Sequence, residues 1–427
     1  MTADTRDLRD AARLGGEALA GVAAAIRDTH LAVARRAFTL TGPPAKPVQL
    51  VHDTISSGVY GAVRVGLSAA ATAGGTLVAT GRAARPAYRP LADRRRGNAV
   101  VGALNGAWGD RLAQTNNRLA LTMTVRHNDR DIALDRAALA ASYPDATGDV
   151  AVWVHGLCET DASWRLGGMK RYGDPASTHG ARLRDECGLT SVYLRYNTGR
   201  HISDNGADFA ALLDELVEQW PVPVRRLTLV GHSMGGLVIR SACHAATERG
   251  ESRWLPLTQR VVYLGSPHLG APLEVGAVAA TAALRKLPET RALGDALASR
   301  SVGIKDLRYG DVLAADWAAI EDPDARRVEP GECAPLLETA DHYYVGVTLG
   351  RDRDGLASRA IGDALVLWSS ASGTGKRRTL GLPVDRGRHL GGLHHFDLLN
   401  HPRVYEVLRE WLVGDSASGT TGGPDGI

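Results

Sequence analysis

The chain has 427 residues and a formal net charge of +3, with 44% hydrophobic and 23% charged residues. This composition is ordinary for a globular protein and excludes a collagen-like, coiled-coil or wholly disordered chain. The four cysteines are scattered and form no CxxC pair, so neither a disulfide framework nor a zinc site is expected.

The N-terminal part of the chain, residues 1–97, is predicted to be helical. It is rich in Ala, with Leu and Val at helical spacing. Its uncharged stretch, Val65–Gly81, is short for a membrane span and consists mainly of small residues. Residues 55–96, which include a basic run, are predicted either to contact an anionic membrane surface or to form a helical domain with a solvated basic turn.

The start of the chain, MTADTRDLRD, contains no apolar stretch typical of a secretory signal peptide. We therefore expect a cytoplasmic protein, peripheral to the membrane if residues 55–96 contact lipid. Nucleic acid is not an expected partner, because the basic run Arg82–Arg96 contains one aromatic residue, Tyr88, and no recognised nucleic-acid-binding motif.

Beyond Asn98 the pattern becomes that of a sheet. Residues 98–147 are predicted to be a lead-in with short paired strands at LALTMTV (119–125) and DIALD (131–135). Residues 148–413 are predicted to form one α/β domain, because apolar runs of strand length alternate with amphipathic helical stretches. Such alternation favours a mostly parallel sheet covered by helices on both faces.

Two segments depart from this alternation. Residues 271–330 are rich in Ala and Leu and are predicted to be a helical cap inserted into the α/β domain. Residues 414–427 are rich in Gly, Ser and Thr, and we expect a disordered tail.

The most informative segment is GHSMG, residues 231–235, which matches the GxSxG pattern of a nucleophile elbow. A Leu- and Val-rich run precedes it and an amphipathic helical pattern follows it, as a strand–turn–helix requires. Gly231 and Gly235 are expected where the strand and the helix approach too closely for a side chain. Ser233 is the predicted nucleophile, and the backbone N–H of Met234 would face a developing oxyanion.

A second oxyanion donor is expected from the loop after an earlier strand. The segment VWVHGLCETDASW (152–164) supplies such a strand and loop. Within it the N–H of Leu157 is the predicted donor. Because the second oxyanion donor in this fold is a backbone N–H, His155 is interpreted as a structural residue that shapes the loop.

Four blocks of sequence resemble the α/β-hydrolase superfamily, in particular its lipase and esterase branch: VHGLCETDASW, VGHSMGGLVIRSA, YLGSPHLGAPLE and HHFDLLNHPRVYEVLREWL. The third block is similar to the strand after the elbow in triacylglycerol lipases and in GPI inositol-deacylase-like esterases, where a lid or cap follows. The resemblance spans residues 148–413. It implies an α/β-hydrolase fold and acyl chemistry, and it leaves the substrate open.

The general base should follow the last strand, because the chain order in this fold is Ser, then Asp or Glu, then His. His394, His395 and His401 have that position. In the esterases that the chain resembles, the base precedes an apolar residue in an H-[FLM]-D-L-L pattern, which maps it onto His395. His401 stands just before Pro402 and is interpreted as a helix-capping residue, and His394 stays an alternative.

The acid that orients the base is predicted to be Asp363. The segment IGDALVLWSSASG (361–373) resembles the G-D-x-x-V stretch that carries the acid in this branch, although Ala364 stands where relatives commonly have Gly. Asp385 and Asp354 are competing loop carboxylates. Asp397 is less favoured, because it lies two residues from the base that it would have to orient.

These residues together predict a serine esterase or lipase that needs neither a metal nor a cofactor and acts on a small-molecule ester or lipid. The apolar character of the cap favours hydrophobic esters by analogy. Two alternatives remain open. One is an acyltransferase with the same triad, and the other is a catalytically silent hydrolase fold that serves as an interaction scaffold. The oligomeric state is not predicted.

Overall fold

The computed structural model describes residues 95–413 apart from a small number of positions and segments, namely 118, 272–299, 319, 321–332, 354, 356–357, 359–361, 364 and 376–377. The predictions for residues 1–94, for most of the cap, for Asp354 and for the tail 414–427 lie outside the described residues.

A single twisted sheet organises the described part of the chain. Its strands in spatial order are β2-β1-β4-β3-β5-β6-β7-β8. The six neighbouring strands from β4 to β8 in this order are all parallel to one another. Strand β1 runs antiparallel to both β2 and β4. The strand bounds are β1 Thr124–His127, β2 Arg130–Ile132, β3 Asp149–Val154, β4 Thr190–Arg195, β5 Arg226–His232, β6 Thr258–Leu264, β7 Asp341–Thr348 and β8 Gly387–Gly391.

Helices connect the parallel strands, as the sequence pattern predicts. Their bounds are α1 Arg95–Gln114, α2 Arg136–Ser142, α3 Gly168–Tyr172, α4 His179–Cys187, α5 Ile202–Gln219, α6 Met234–Arg249, α7 Val302–Asp306, α8 Ala315–Ala318, α9 Trp368–Ala371 and α10 Pro402–Val413. Short 3₁₀ helices cover Asp161–Arg165, Leu255–Leu257, Val384–Arg386 and His395–Leu399.

Both faces of the sheet are buried, which the side chains of β3 show residue by residue. Val150, Val152 and Val154 point into the core that contains the buried residues of α5 and α6. Ala151 and Trp153 point the other way, into the core that contains those of α4 and α10. Successive residues of a strand face opposite sides, so β3 reads as a continuous apolar run because each side meets a helix layer. The predicted fold class is confirmed.

The lead-in differs from its prediction. Of the strand predicted at 119–125, only residues 124 and 125 lie in β1, which spans Thr124–His127. The residues before it are held by α1, because Asn105 Nδ2 donates to Leu119 O and Asn105 Oδ1 accepts from Leu121 N. The second predicted strand ends early as β2, since Asp135 accepts a hydrogen bond from Ala138 N and caps α2.

Helix α1 packs closely against the loop that follows β3. A Cβ at Gly102 would lie 2.7 Å from Thr160 Cγ2, and one at Gly106 would collide with Cys158 Sγ. Asn98 Nδ2 also donates a 3.0 Å hydrogen bond to Asp161 Oδ1. Glycine in a helix interior costs about 1 kcal/mol relative to Ala, so this helix is stabilised by its packing and not by its propensity.

No helix in the described part of the chain is both long and apolar enough to cross a membrane.

Candidate active site

Ser233 sits at the sharp turn between β5 and α6, where the sequence predicts the nucleophile elbow. Its backbone has φ 51° and ψ −121°, a combination rare for a residue with a side chain. Holding such a conformation costs on the order of 1–3 kcal/mol, which the surrounding contacts must offset. Ser233 N donates to Leu264 O at 2.9 Å, and Gly236 N donates to Ser233 O at 3.1 Å, so the turn is fixed on both sides.

The flanking glycines permit this turn because strand and helix nearly touch. A Cβ on Gly231 would lie 2.5 Å from Gly236 N, and one on Gly235 would collide with the carbonyl oxygen of Val154. Ser233 itself is partly exposed, between fully buried neighbours. The two glycines therefore lie where strand and helix approach too closely for a side chain, as the sequence predicts.

The N-terminus of α6 points its first N–H groups towards the elbow. Met234 is the first residue of this helix, so its N–H has no acceptor within the helix. The positive end of the helix dipole lies at the same place and favours a negative charge there. This is the position that an oxyanion donor needs.

The loop after β3 lies directly against the nucleophile. We call residues 156–160 the oxyanion loop. A Cβ on Gly156 would lie 3.0 Å from Ser233 Cβ. Gly156 N donates to Glu159 Oε2 at 2.7 Å, and Cys158 N donates to Thr198 Oγ1 at 3.2 Å.

Leu157 lies between these two bonded amides. Within the described residues the Leu157 N–H has no hydrogen-bond acceptor. The loop thus leaves open the amide that the sequence analysis selects as the second oxyanion donor.

His395 and Asp363 form a buried acid–base pair. His395 Nδ1 lies 2.6 Å from Asp363 Oδ2, and the two residues are 2% and 1% exposed. Asp363 Oδ1 accepts hydrogen bonds from Leu365 N at 2.9 Å and from Val366 N at 2.7 Å. A carboxylate fixed by two backbone donors accepts a hydrogen bond from Nδ1–H, which leaves Nε2 as the basic nitrogen of the ring.

His395 Nε2 is buried and has no hydrogen-bond partner among the residues that the structure describes. Burial by itself lowers the pKa of His395, but the charge and hydrogen bond of Asp363, with a smaller contribution from Glu159, raise it above its usual value. The pair has the features of a general base that takes up a proton during a reaction.

The His395 ring is placed beside the elbow by two contacts. Its centroid lies 4.8 Å from that of His232, the residue before Ser233. A Cβ on Gly265 would lie 3.3 Å from His395 Nδ1. Within the described residues Ser233 Oγ makes no hydrogen bond to His395 Nε2, and the bond between nucleophile and base commonly tightens only when substrate binds.

The competing histidines have other partners. His394 N donates to Asp397 Oδ2 at 3.0 Å, and Arg171 forms an ion pair with Asp397. His401 Nδ1 accepts a 3.2 Å hydrogen bond from Arg403 N at the start of α10, which is a capping contact.

The competing carboxylates also differ from Asp363. Asp397 is engaged by Arg171 and by the His394 backbone. Asp385 is exposed, in the short helix before β8. Asp354 lies outside the described residues.

The structure shows one buried pair at the site that the sequence analysis does not anticipate. Glu159 Oε2 lies 3.0 Å from His232 Nδ1, although 73 residues separate them. Both fall inside the blocks that carry the resemblance. In the sequence, the Glu lies three residues after the His-Gly pair, and the His occupies the variable position before the elbow serine. Neither position predicts a contact between the two.

His155 fits its predicted structural role in its contacts. Its Nδ1 lies 2.9 Å from Gly156 O, and its Nε2 lies 3.4 Å from Tyr196 N. Within the described residues, no group of three or more His, Cys, Asp and Glu side chains could hold a metal ion.

No family model matches the chain, and no curated protein matches it. Solved structures are similar to it at low identity. The propeptide form of Bacillus licheniformis lipase BlEst2 has a TM-score of 0.41 and 18% identity over 66% of this chain and 53% of that one. The chain therefore spans about half the length of that relative.

Two further neighbours have lower scores. Phospholipase PlaB from Legionella pneumophila has a TM-score of 0.37 and 13% identity over 62% of this chain and 59% of that one. Staphylococcus hyicus lipase has a TM-score of 0.35 and 12% identity over 64% of this chain and 98% of that one. The strand order and the elbow after β5 confirm the predicted α/β-hydrolase fold.

Proposed function

We propose that this protein is a serine hydrolase that cleaves carboxylic esters of hydrophobic or lipidic substrates through an acyl-enzyme on Ser233. The observation that supports this most is the buried hydrogen bond between Asp363 and His395, which leaves Nε2 of the ring open beside the elbow. A nucleophile on a strained turn, an oriented base and two open backbone N–H groups are what acyl transfer requires.

In the first half-reaction, Ser233 Oγ attacks the ester carbonyl carbon while His395 Nε2 takes the hydroxyl proton. The negative charge that develops on the carbonyl oxygen is stabilised by the N–H groups of Leu157 and Met234. The tetrahedral intermediate then loses its alkoxide, which leaves as the alcohol after His395 returns the proton. The acyl group stays on Ser233.

In the second half-reaction, water replaces the alcohol. His395 Nε2 takes a proton from water, the hydroxide oxygen attacks the acyl carbon, and the same two N–H groups bind the oxyanion. Ser233 Oγ leaves with the proton from His395, and the carboxylic acid is released. Asp363 accepts the hydrogen bond from Nδ1–H throughout, which fixes the tautomer and stabilises the imidazolium.

The choice of hydrophobic esters rests on the Ala- and Leu-rich composition of residues 271–330. A cap of this composition would exclude water from the site and contact apolar acyl chains. The cytoplasmic location and the contact of residues 55–96 with a membrane surface belong to the same proposal.

The test is hydrolysis of a series of p-nitrophenyl esters of increasing acyl length by the full-length protein. Ser233→Ala and His395→Ala are each expected to lower kcat by about 10⁴-fold, because nucleophile and base act as one unit. Ser241→Ala, on the same helix α6, and His401→Ala, the helix cap, are the matched controls. Both controls should retain kcat within about two-fold.

The outcomes separate the alternatives. Loss of hydrolysis in the two site variants but not in the controls supports the proposal. Transfer of the acyl group to an added alcohol in preference to water would identify an acyltransferase with the same triad. No turnover by a folded wild type, with or without detergent, would favour a silent scaffold.

A further inference from the structure

The side chain of His232 lies between two hydrogen-bond acceptors in the interior of the protein. It is fully buried, with Nδ1 3.0 Å from Glu159 Oε2 and Nε2 3.3 Å from the carbonyl oxygen of His395. A carbonyl oxygen and an ionised carboxylate can only accept. Both ring nitrogens must therefore carry a proton for both hydrogen bonds to form.

The neighbouring His155 makes the contrasting arrangement. Its Nδ1 faces Gly156 O, but its Nε2 faces the N–H of Tyr196 and must accept. One ring nitrogen donates and the other accepts, which describes a neutral imidazole. Burial lowers the pKa of His155, in agreement with that state. His155 directly follows β3 and His232 is the last residue of the neighbouring strand β5, so two buried histidines at one edge of the sheet require different protonation states.

An ionised Glu159 fits the same arrangement. Burial by itself raises its pKa, but the charge and hydrogen bond of His232, together with the Gly156 N–H, hold the pKa below its usual value. Its Oε2 accepts from Gly156 N at 2.7 Å and from His232 Nδ1 at 3.0 Å. One carboxylate oxygen therefore joins the oxyanion loop to the elbow.

His232 continues this chain of contacts to the base. Its Nε2 proton reaches the backbone carbonyl of His395, whose ring is fixed separately by Asp363. The three segments that supply the oxyanion donor, the nucleophile and the base come from distant parts of the chain. The pair Glu159–His232 contacts all three.

We propose that Glu159 and His232 form a second buried charged pair, a carboxylate and a doubly protonated imidazolium, that positions Leu157, Ser233 and His395 relative to one another. Neither residue touches the reacting atoms, so both are positioning residues. This inference rests on the proposed hydrolase function for its effect on rate, whereas the charge state itself does not depend on that function.

The substitution Glu159→Gln tests the pair because it keeps the shape of the side chain and removes the charge. Without a counter-ion, a buried His232 is expected to be neutral and to have one N–H for two acceptors. If the amide oxygen occupies the place of Oε2, one of the two His232 bonds is lost. If the amide nitrogen occupies it, the bond from Gly156 N is lost.

The first readout is the protonation of the imidazole ring by ¹⁵N NMR at neutral pH in the full-length protein. The His232 signals are assigned by their disappearance in His232→Gln. In the wild type we expect both nitrogens of His232 to be protonated and only one of His155. In Glu159→Gln we expect one protonated nitrogen in each. A wild-type His232 with a single protonated nitrogen would overturn the proposal.

The second readout is steady-state hydrolysis of a p-nitrophenyl ester. Glu159→Gln should lower kcat by roughly 10- to 100-fold with KM changed by less than about two-fold, because small misplacements of reacting groups act on the transition state. Asp149→Asn is the matched control. It removes the ion pair between Asp149 and Arg226, which links β3 and β5 at the opposite edge of the sheet.

These experiments distinguish failure of the proposed hydrolase function from failure of the proposed positioning role. If wild-type protein hydrolyses no ester, the proposed function fails while the NMR result for His232 still decides the charge state. If wild type is active and Glu159→Gln keeps its kcat, or loses no more than Asp149→Asn, the positioning role is refuted and the hydrolase stands.

Discussion

At the scale of single residues, the proposed chemistry depends on one nitrogen, His395 Nε2. Asp363 determines its properties by holding the other ring nitrogen at 2.6 Å and by raising the pKa of the ring against the effect of burial. A general base works in its neutral form. Activity should therefore be present above the pKa of His395 and be lost as pH falls through that raised value.

Replacing Asp363 should shift the acid limb of the pH–rate profile, which is the range where activity is lost as pH falls. Asp363→Asn removes the negative charge and with it the attraction that raises the pKa of His395. The acid limb of the kcat/KM profile should shift to lower pH, and kcat should fall by about 10⁴-fold because the amide favours the wrong tautomer. The pH–rate profile of the free enzyme measures both effects.

The control for this substitution is Asp385→Asn, at the exposed rival carboxylate. It should leave both the profile and kcat unchanged. An acid limb that stays in place in Asp363→Asn would show that another group sets it.

Some residues of the site were easier to predict from the sequence than others. The elbow predicts Ser233, its glycines and Met234 from local pattern alone, because the steric reason lies within five positions. His395 and Asp363 needed the resemblance, since fourteen histidines and several loop carboxylates offer alternatives. The Glu159–His232 pair could not be predicted, because a contact across 73 residues has no periodic signal.

At the scale of elements, the sequence pattern did not predict that helix α1 continues beyond Asn98 to Gln114. Residues 98–114 contain three glycines at the face that meets the rest of the domain, and helix propensity disfavours them. At Gly102 and Gly106 the absence of a side chain allows the helix to approach the oxyanion loop, and at Gly109 it leaves room for the side chain of Asn197. The apolar runs of β3 to β7, by contrast, were recognisable because burial on both faces leaves no polar alternation.

Packing and propensity give opposite predictions for Gly106→Ala. Propensity alone would stabilise the helix by about 1 kcal/mol. The added Cβ would instead collide with Cys158 Sγ and lie 3.0 Å from Cys158 Cα. We expect the free energy of unfolding to fall by roughly 1–3 kcal/mol, as overpacked sites show, and kcat to fall because Leu157 adjoins Cys158.

Urea unfolding measures this change. Ala99→Gly, at an exposed position of the same helix, reports propensity alone and should cost about 1 kcal/mol without changing kcat. A more stable Gly106→Ala variant with unchanged kcat would contradict the close packing of α1 on the oxyanion loop.

At the scale of the whole molecule, the sheet brings the proposed catalytic groups to one edge. Leu157 follows β3, Ser233 follows β5, and His395 follows β8, and these strands are all parallel. Residues that come after parallel strands meet at the same edge, so the strand order alone brings distant parts of the chain together. The sequence predicted the mostly parallel sheet, because its apolar runs were separable from its helical stretches, but the short strand β8 was not among those runs.

The proposed membrane contact of residues 55–96 depends on charge. Replacing arginines of this segment by Gln in the full-length chain should reduce sedimentation with anionic phospholipid vesicles, because each basic group near such a surface contributes about 1 kcal/mol. The substitutions are at Arg82, Arg85 and Arg89. Binding to neutral vesicles should be unaffected by them.

The control for this prediction replaces exposed arginines of the α/β domain, namely Arg225, Arg249 and Arg253. These variants should sediment like wild type. Equal sedimentation of both triple variants with anionic vesicles would rule out a specific contact through residues 55–96.

The central claim is that Ser233 is an activated nucleophile, and covalent labelling with a fluorophosphonate probe tests it most directly. We predict one adduct per chain, found by peptide mass spectrometry on the peptide that contains Ser233 and absent in Ser233→Ala and His395→Ala variants that fold normally by circular dichroism. Labelling of a different residue, or no labelling of folded wild type in the presence of detergent or lipid, would contradict the claim.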